Sequence, residues 1–273
     1  MARHPFDELM ELDTADIRLD CAALHLSRDA YPHLDMVAYL RQLDELAGRV
    51  ADQRPGLAAP LRYQALRDVL VEREDFRGDA DDYYNPENSY LNRVLDRRRG
   101  IPISLSCVWL EVARRLKWPV RGVGFPGHFL IRFDDPERFV IVDPFRDGRT
   151  LSLEDCRRLL NEQFEGKVPF SESLLAPIDT RAILGRALNN LRSVHLRQRN
   201  WERLETVLLR LIAVEPNNPR HVQELAAVLY QRGELRAACV CLSTYLERWP
   251  AVEGAKEVRR ELEHLQAALA LMN

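Results

Sequence analysis

Paired cysteines, an excess charge of one sign and long apolar runs are all missing from this 273-residue chain. Its five cysteines (Cys21, Cys107, Cys156, Cys239, Cys241) are odd in number and never spaced C-x-x-C. That excludes a disulfide framework and a structural zinc site, and it fits thiols kept reduced in a bacterial-type cytoplasm. A formal net charge of −3 gives no bulk attraction to nucleic acid or to an anionic membrane. No apolar stretch is long enough to span a bilayer, and the acidic start "MARHPFDELMELDTADIRLD" lacks the apolar centre of a secretion signal. There is no glycine-rich phosphate loop, and the seven histidines are not clustered with other ligands, so neither a metal nor a cofactor is expected. What is present is a composition that can bury a core, 46% hydrophobic and 30% charged, in a chain long enough for one large domain or two.

The apolar period changes along the chain. Residues 14–75 read as helical: "LDMVAYLRQLDELAGRV" sets Leu40, Leu43, Leu46, Ala47 and Val50 on one stripe, and "LRYQALRDVLVERE" does the same with Leu61, Leu66 and Leu70. "RPGLAAP" between them is a loop, and "FRGDADDYYNPENSY" is the longest irregular segment. "ISLSCVWLEVARRL" is apolar nearly all round, which predicts a central buried helix with Pro102 in its first turn, where a missing N–H costs nothing. After "KWP" the pattern becomes that of strands in "VRGVGF", "HFLIRF" and "FVIVD". "DPFRDGRTLS" reads as a turn leading out, and residues 153–164 as a closing helix.

From residue 180 the chain repeats itself at an offset of 34 residues. Leu188 falls on Val222, Leu191 on Leu225, Leu196 on Tyr230, Leu208 on Leu242 and Pro216 on Pro250. Helix-turn-helix units of this period resemble tetratricopeptide repeats, with residues 254–271 as a capping helix. Where such repeats want a small residue the second copy has Ala226 but the first has Arg192.

A hairpin turning at "DDPER" pairs Phe133 with Arg138 and, in the same register, His128 with Asp143. Opposed residues place their side chains on one face, so the carboxylate fixes the tautomer of the imidazole. Such a pair serves catalysis or caps a sheet, and the residues alone leave both open.

The run "GIPISLSCVWLEVARRLKWPVRGVGFPGHFLIRF" with "VDPFRDGRTLS" resembles the SirB-type invasion-regulator family of bacteria, over essentially the whole chain. The resemblance implies an α+β fold: a papain/transglutaminase-like core of a central helix on an antiparallel sheet (residues 76–175). N-terminal helices (1–75) precede it and tetratricopeptide-like helices (180–273) follow. It also implies that His128 and Asp143 stand where the histidine and aspartate of a thiol triad stand. Active members of such a fold read Gly-x-Cys at the helix start, whereas this chain reads Gly100-Ile101-Pro102, so Pro102 takes the nucleophile's place.

Cys107, five residues later, lies about 140° round the helix and roughly 7.5 Å along it. Its apolar neighbours raise a thiol pKa, which makes it a core residue. Ser106 is about 40° off the face of Pro102 but a turn deeper. The expectation is a protein without a working nucleophile that binds a peptide or protein partner; an active cysteine or serine hydrolase or acyl transferase is the alternative.

Candidate groove residues are Tyr84, Asn85, Asn88 and Gly127, the first three from a loop suited to adaptable contacts. Arg186, Asn189, Arg197, Gln223 and Gln231 are candidates for a peptide-binding face of the repeats. The basic run "LDRRRG" beside the helix start is either solvated charge or a contact for an anion or partner peptide.

Overall fold

A computed structural model describes residues 4–136, 139–251 and 254–271. It divides into two compact units, Met1–Ala187 and Leu188–Asn273.

The first unit opens with four helices: α1 (Pro5–Leu9), α2 (Leu19–Ala30), α3 (Met36–Ala51) and α4 (Ala59–Arg67). The last of these runs on as a π-helical turn over Asp68–Arg73. The expected stripe on α3 faces inward through Leu43, Leu46, Ala47 and Val50, and Asp35 caps its first turn by accepting from the N–H groups of Val37 and Ala38. A short parallel ladder joins β1 (Arg77–Gly78) to β2 (Arg99–Gly100) across α5 (Leu91–Arg97). The central helix α6 (Pro102–Arg115) begins at the expected proline, and every side chain from Pro102 to Ala113 is buried.

The sheet is antiparallel in the order β3 (Val120–Val123), β4 (Leu130–Asp134), β5 (Phe139–Asp143), β6 (Arg149–Leu151). Strand β6 was expected as part of a turn; it is three residues long and too short to show alternation. Alternation along β4 sends Phe133 against Tyr63 of α4, while Leu130 joins Ile141, Cys156 and Leu160 in a cluster with α7 (Leu153–Phe164). Both faces of the sheet are therefore covered, which is why its strands read as nearly continuous apolar runs.

The hairpin register differs from expectation by two residues. Phe133 lies opposite Val140 and Ile131 opposite Val142, which puts Asp143 level with Leu130 and leaves His128 before the strand begins. The Arg138 half of the expected pairing lies outside the described residues. At the hairpin tip, the carboxylate of Asp135 accepts from the N–H of Ala59 at the start of α4, so the tip serves as a helix cap.

Packing on α6 is tight at its centre. Trp109 is fully buried, and a side chain at Gly148 would come within 2.9 Å of its ring, at a backbone φ of +64° that already favours glycine. Toward the end of α6, Glu111, Arg114 and Arg115 meet Asp20 of α2. Asp20 accepts from Arg18, Arg114 and Arg115 at 2.7–3.1 Å, and Glu111 from Arg114 and Arg115 at 2.8 Å. Burial pushes the Asp20 carboxyl up, but the hydrogen bonds and charges of Arg18 and Arg115 outweigh it and hold Asp20 below the usual range. Burial and the charge of Asp20 move Glu111 the other way.

The second unit is made from α8 (Thr180–Arg197, whose residues 180–187 belong to the first unit), α9 (Trp201–Val214), α10 (Pro219–Gln231), α11 (Leu235–Arg248) and α12 (Ala255–Leu271). Most equivalent repeat positions share their fate, although Val222 is half-buried where Leu188 is buried. Leu188, Leu191, Leu208, Leu225 and Leu242 are buried, whereas Leu196 and Tyr230 are both exposed. The oversized Arg192 does not enter the core; its guanidinium pairs with Glu224 at 2.6 Å.

Candidate functional site

His128 and Asp143 come together although the hairpin register differs from the one expected. Asp143 ends β5 and is fully buried; its Oδ1 accepts from the N–H groups of Phe145 and Arg146, a local turn that fixes the carboxylate. Its Oδ2 lies 2.9 Å from Nε2 of His128. The two atoms are within ion-pair distance but do not line up as a hydrogen bond, and neither has a hydrogen-bond partner among the described residues; Arg146 Nε lies 3.8 Å from the same Oδ2. Since Nε2 faces the carboxylate, Nδ1 is the ring nitrogen left to meet anything outside. The imidazole stands edge-on to Phe145 at 6.3 Å, Phe145 to Tyr83 at 5.9 Å, and Tyr83 to Tyr84 at 5.3 Å. Phe145 approaches so near to the main chain at Gly78 that a side chain there would meet its carbonyl oxygen at 2.4 Å.

Neither candidate nucleophile joins this pair. Cys107 is buried, and its thiol is pushed up to about 12 by desolvation and by the charge of Glu111 one turn further on. It shares a stripe of α6 with the carboxyl network, and no hydrogen bond links it to His128 among the described residues. Ser106 is fully buried and donates to the carbonyl of Pro102 at 2.7 Å. Ser104 donates to the carbonyl of Asn88 at 2.5 Å and accepts from the N–H of Ile101. Pro102 forms the buried first turn of α6, as expected.

Several candidate binding residues have other tasks. Asn88 is fully buried rather than groove-lining: its amide donates to the carbonyl of Asp82 and accepts from Arg97. The buried amide, with both ends satisfied, ties the tyrosine loop to α5, while the main-chain carbonyl of Asn88 accepts from Ile101 N–H and Ser104 Oγ at the start of α6. Asn85 caps the short turn that follows it, accepting from the N–H of Glu87. Tyr84 is exposed, and Gly127 sits in the exposed turn before His128 at a φ of +69°. The basic run is not free for an anion: Arg97 meets Asp79 and Glu87, Arg98 meets Glu74, and Arg99 meets Asp75.

On the repeats, Arg197 and Gln231 are exposed and Asn189 is half-buried. Gln223 is turned inward instead, donating to the hydroxyl of Tyr245 at 3.0 Å, because its helix face looks toward α11. Arg186 belongs to the first unit and not to a repeat surface. Its guanidinium donates to the carbonyls of Gly124, Phe125 and His128. Tyr83 and Phe145 are site neighbours that the sequence reading did not name, signalled by their place inside "YYNPENSY" and "VDPFRDGRTLS"; Arg186 was named, but for the repeat surface.

Two hollows lie elsewhere. One of about 720 Å³ touches Leu110, Glu111, Arg114 and Gly122 in the first unit. One of about 390 Å³ in the second unit is lined by Leu196, Trp201, Ala227 and Gln231. No cluster of side chains suited to a metal occurs among the described residues, and no helix among them is long and apolar enough to cross a membrane.

Comparison with known proteins shows the family. Residues 37–189 match a family described as the transglutaminase-like superfamily, and residues 191–270 match one described as the tetratricopeptide repeat. A UPF0162 protein of Xylella fastidiosa is 34% identical over 264 residues, covering 95% of this chain and 94% of the relative. A UPF0162 protein of Pseudomonas aeruginosa is 37% identical over 64% of this chain and 63% of its own length. The F-box only protein 21 of Mus musculus is 30% identical over 65% of this chain but only 29% of its own.

Proposed function

The chain belongs to the transglutaminase-like superfamily, and from that premise we propose that it is a non-catalytic member: a regulatory or scaffold protein that binds a peptide or protein partner in a bacterial cytoplasm. The observation that carries the reading is the state of the thiol. Cys107 is buried, raised to about 12 and set beside a carboxyl group, the opposite of the electropositive, accessible setting that makes a cysteine nucleophilic. Pro102 stands at the helix start without a reactive group. The SirB-type assignment rests on the run from Gly100 to Phe133 and on "VDPFRDGRTLS".

In this reading His128, Asp143 and the Tyr83–Tyr84–Phe145 aromatic face hold a ligand without turning it over. The exposed Leu196 and Tyr230, at matching repeat positions, with Arg197 and Gln231 beside them, offer a second contact. The His128–Asp143 approach of 2.9 Å favours one rival, a hydrolase or acyl transferase that recruits His128 as a base.

Peptide-array binding with the full-length protein separates the two. Binding that survives Cys107→Ala and falls at least about tenfold in Tyr84→Ala or His128→Ala supports the binder, one tenfold step being the worth of a single good contact. Turnover of an amide or ester probe that His128→Ala abolishes replaces it with the enzyme.

A further inference from the structure

The carbonyl oxygens of the turn "GFPGH" converge on one side chain. Arg186 Nη1 donates to the carbonyl of Gly124 at 3.2 Å, and Nη2 donates to those of Phe125 at 3.0 Å and His128 at 2.6 Å. Its guanidinium carbon lies 5.7 Å from the centroid of the Phe129 ring. Three main-chain acceptors in a half-buried turn need donors, and the planar fork of an arginine supplies several in fixed geometry. Gly124 makes the approach possible: a side chain there would meet Ile178 at 3.1 Å and Arg186 itself at 3.5 Å. The glycine thus admits an internal clamp.

The clamp acts on the one residue whose orientation matters most. Asp143 is fixed on its own side by the N–H groups of Phe145 and Arg146. His128 lies outside strand β4, so no ladder hydrogen bonds hold it; its N–H donates to the carbonyl of Phe125 at 3.1 Å, and its own carbonyl is held by Arg186. The Nε2–Oδ2 contact is short but off line, so a small rotation of the His128 backbone decides whether it becomes a hydrogen bond.

We infer that Arg186 is a positioning residue for His128: by gripping the carbonyls of the turn it directs Nε2 at Asp143 and presents Nδ1 outward. This rests on the proposed role of the His128 site, but its test needs no ligand.

The experiment records long-range 1H–15N correlations of histidine-labelled full-length protein in alkaline buffer, where a free imidazole is neutral. The wild type is expected to carry its proton on Nε2, facing the carboxylate. In Arg186→Gln, and in Arg186→Lys, which keeps the charge but not the fork, that preference falls by about fivefold, the equivalent of roughly one ordinary hydrogen bond. Asp143→Asn shows that the spectrum senses the contact.

An unchanged tautomer ratio in either folded Arg186 variant overturns the inference. So does failure of both to fold, which would make Arg186 a structural strut and no more. A tautomer response without any peptide binding leaves Arg186 as the positioning residue and removes the proposed function instead.

Discussion

In the transglutaminase-like unit, the hydrogen bonds that define the site and its scaffold span long stretches of chain. Asp135 at a hairpin tip caps α4 at Ala59, Arg115 of α6 reaches Asp20 of α2, and Arg186 reaches back to the turn before β4. In the repeat unit the corresponding bonds span shorter stretches: Arg192 of α8 with Glu224 of α10, Gln223 with Tyr245 of the next helix, and His221 with Glu215 just before it. One unit is held by contacts that no local pattern announces, and the other by contacts between segments closer together in the chain. The difference teaches where side chains become specialised: long-range bonds carry the buried carboxyls and the His128 clamp, while the repeat unit ties nearby segments together, as stacked repeats that touch only their neighbours do.

Thiol chemistry offers the largest contrast. Cys107 in the first unit, raised to about 12, is expected to alkylate at least about a thousandfold more slowly than an ordinary cysteine at pH 7.5, reacting only as the unit opens. Iodoacetamide labelling followed by peptide mass analysis measures this, with the half-buried Cys241 of the second unit as an internal comparison. Fast native labelling of Cys107 would break the contrast and revive the enzyme.

Next in size is the central tryptophan. Trp109→Ala empties a fully buried site and is expected to destabilise the first unit by about 3–5 kcal/mol. Urea unfolding followed by hydrogen exchange resolves the two units; equal loss of protection in the repeats would show that the division does not extend to stability.

The smallest effect belongs to the repeats. His195 is buried, and desolvation with the charge of Arg203 lowers it to about 4. Between pH 6.5 and 4 the unfolded chain takes up a proton that the folded unit refuses, so stability falls as the pH drops through that window and levels off below it. The loss is at most about 3 kcal/mol. In His195→Gln the pH slope of the unfolding midpoint should flatten over that range, and an unchanged slope would refute the assignment.

Much of the architecture was legible because periodicity reports which face of an element is buried. α3, α6, α7 and the 34-residue repeat follow their apolar stripes, and Pro102 marks the start of α6 as a proline at a first turn should. The site was legible in part. His128 and Asp143 were found from their place around a hairpin, yet the register was off by two residues, since the turn lies one residue further along than the sequence implies. Asn88, Gln223 and Arg186 were misassigned for a common reason: a polar side chain does not announce in sequence whether its partner is solvent or a distant carbonyl.

By itself, then, the sequence determined the central helix α6, the three apolar strands β3–β5, the repeat and the burial of Cys107, since each follows from the free energy of removing apolar surface from water at a regular spacing. Only the tertiary structure decided that Nε2 of His128 faces Asp143, that the arginine run is spent on its own carboxylates, and that Arg186 grips the histidine turn. Those outcomes depend on directional bonds between groups far apart in the chain, whose geometry exists only once the core has closed.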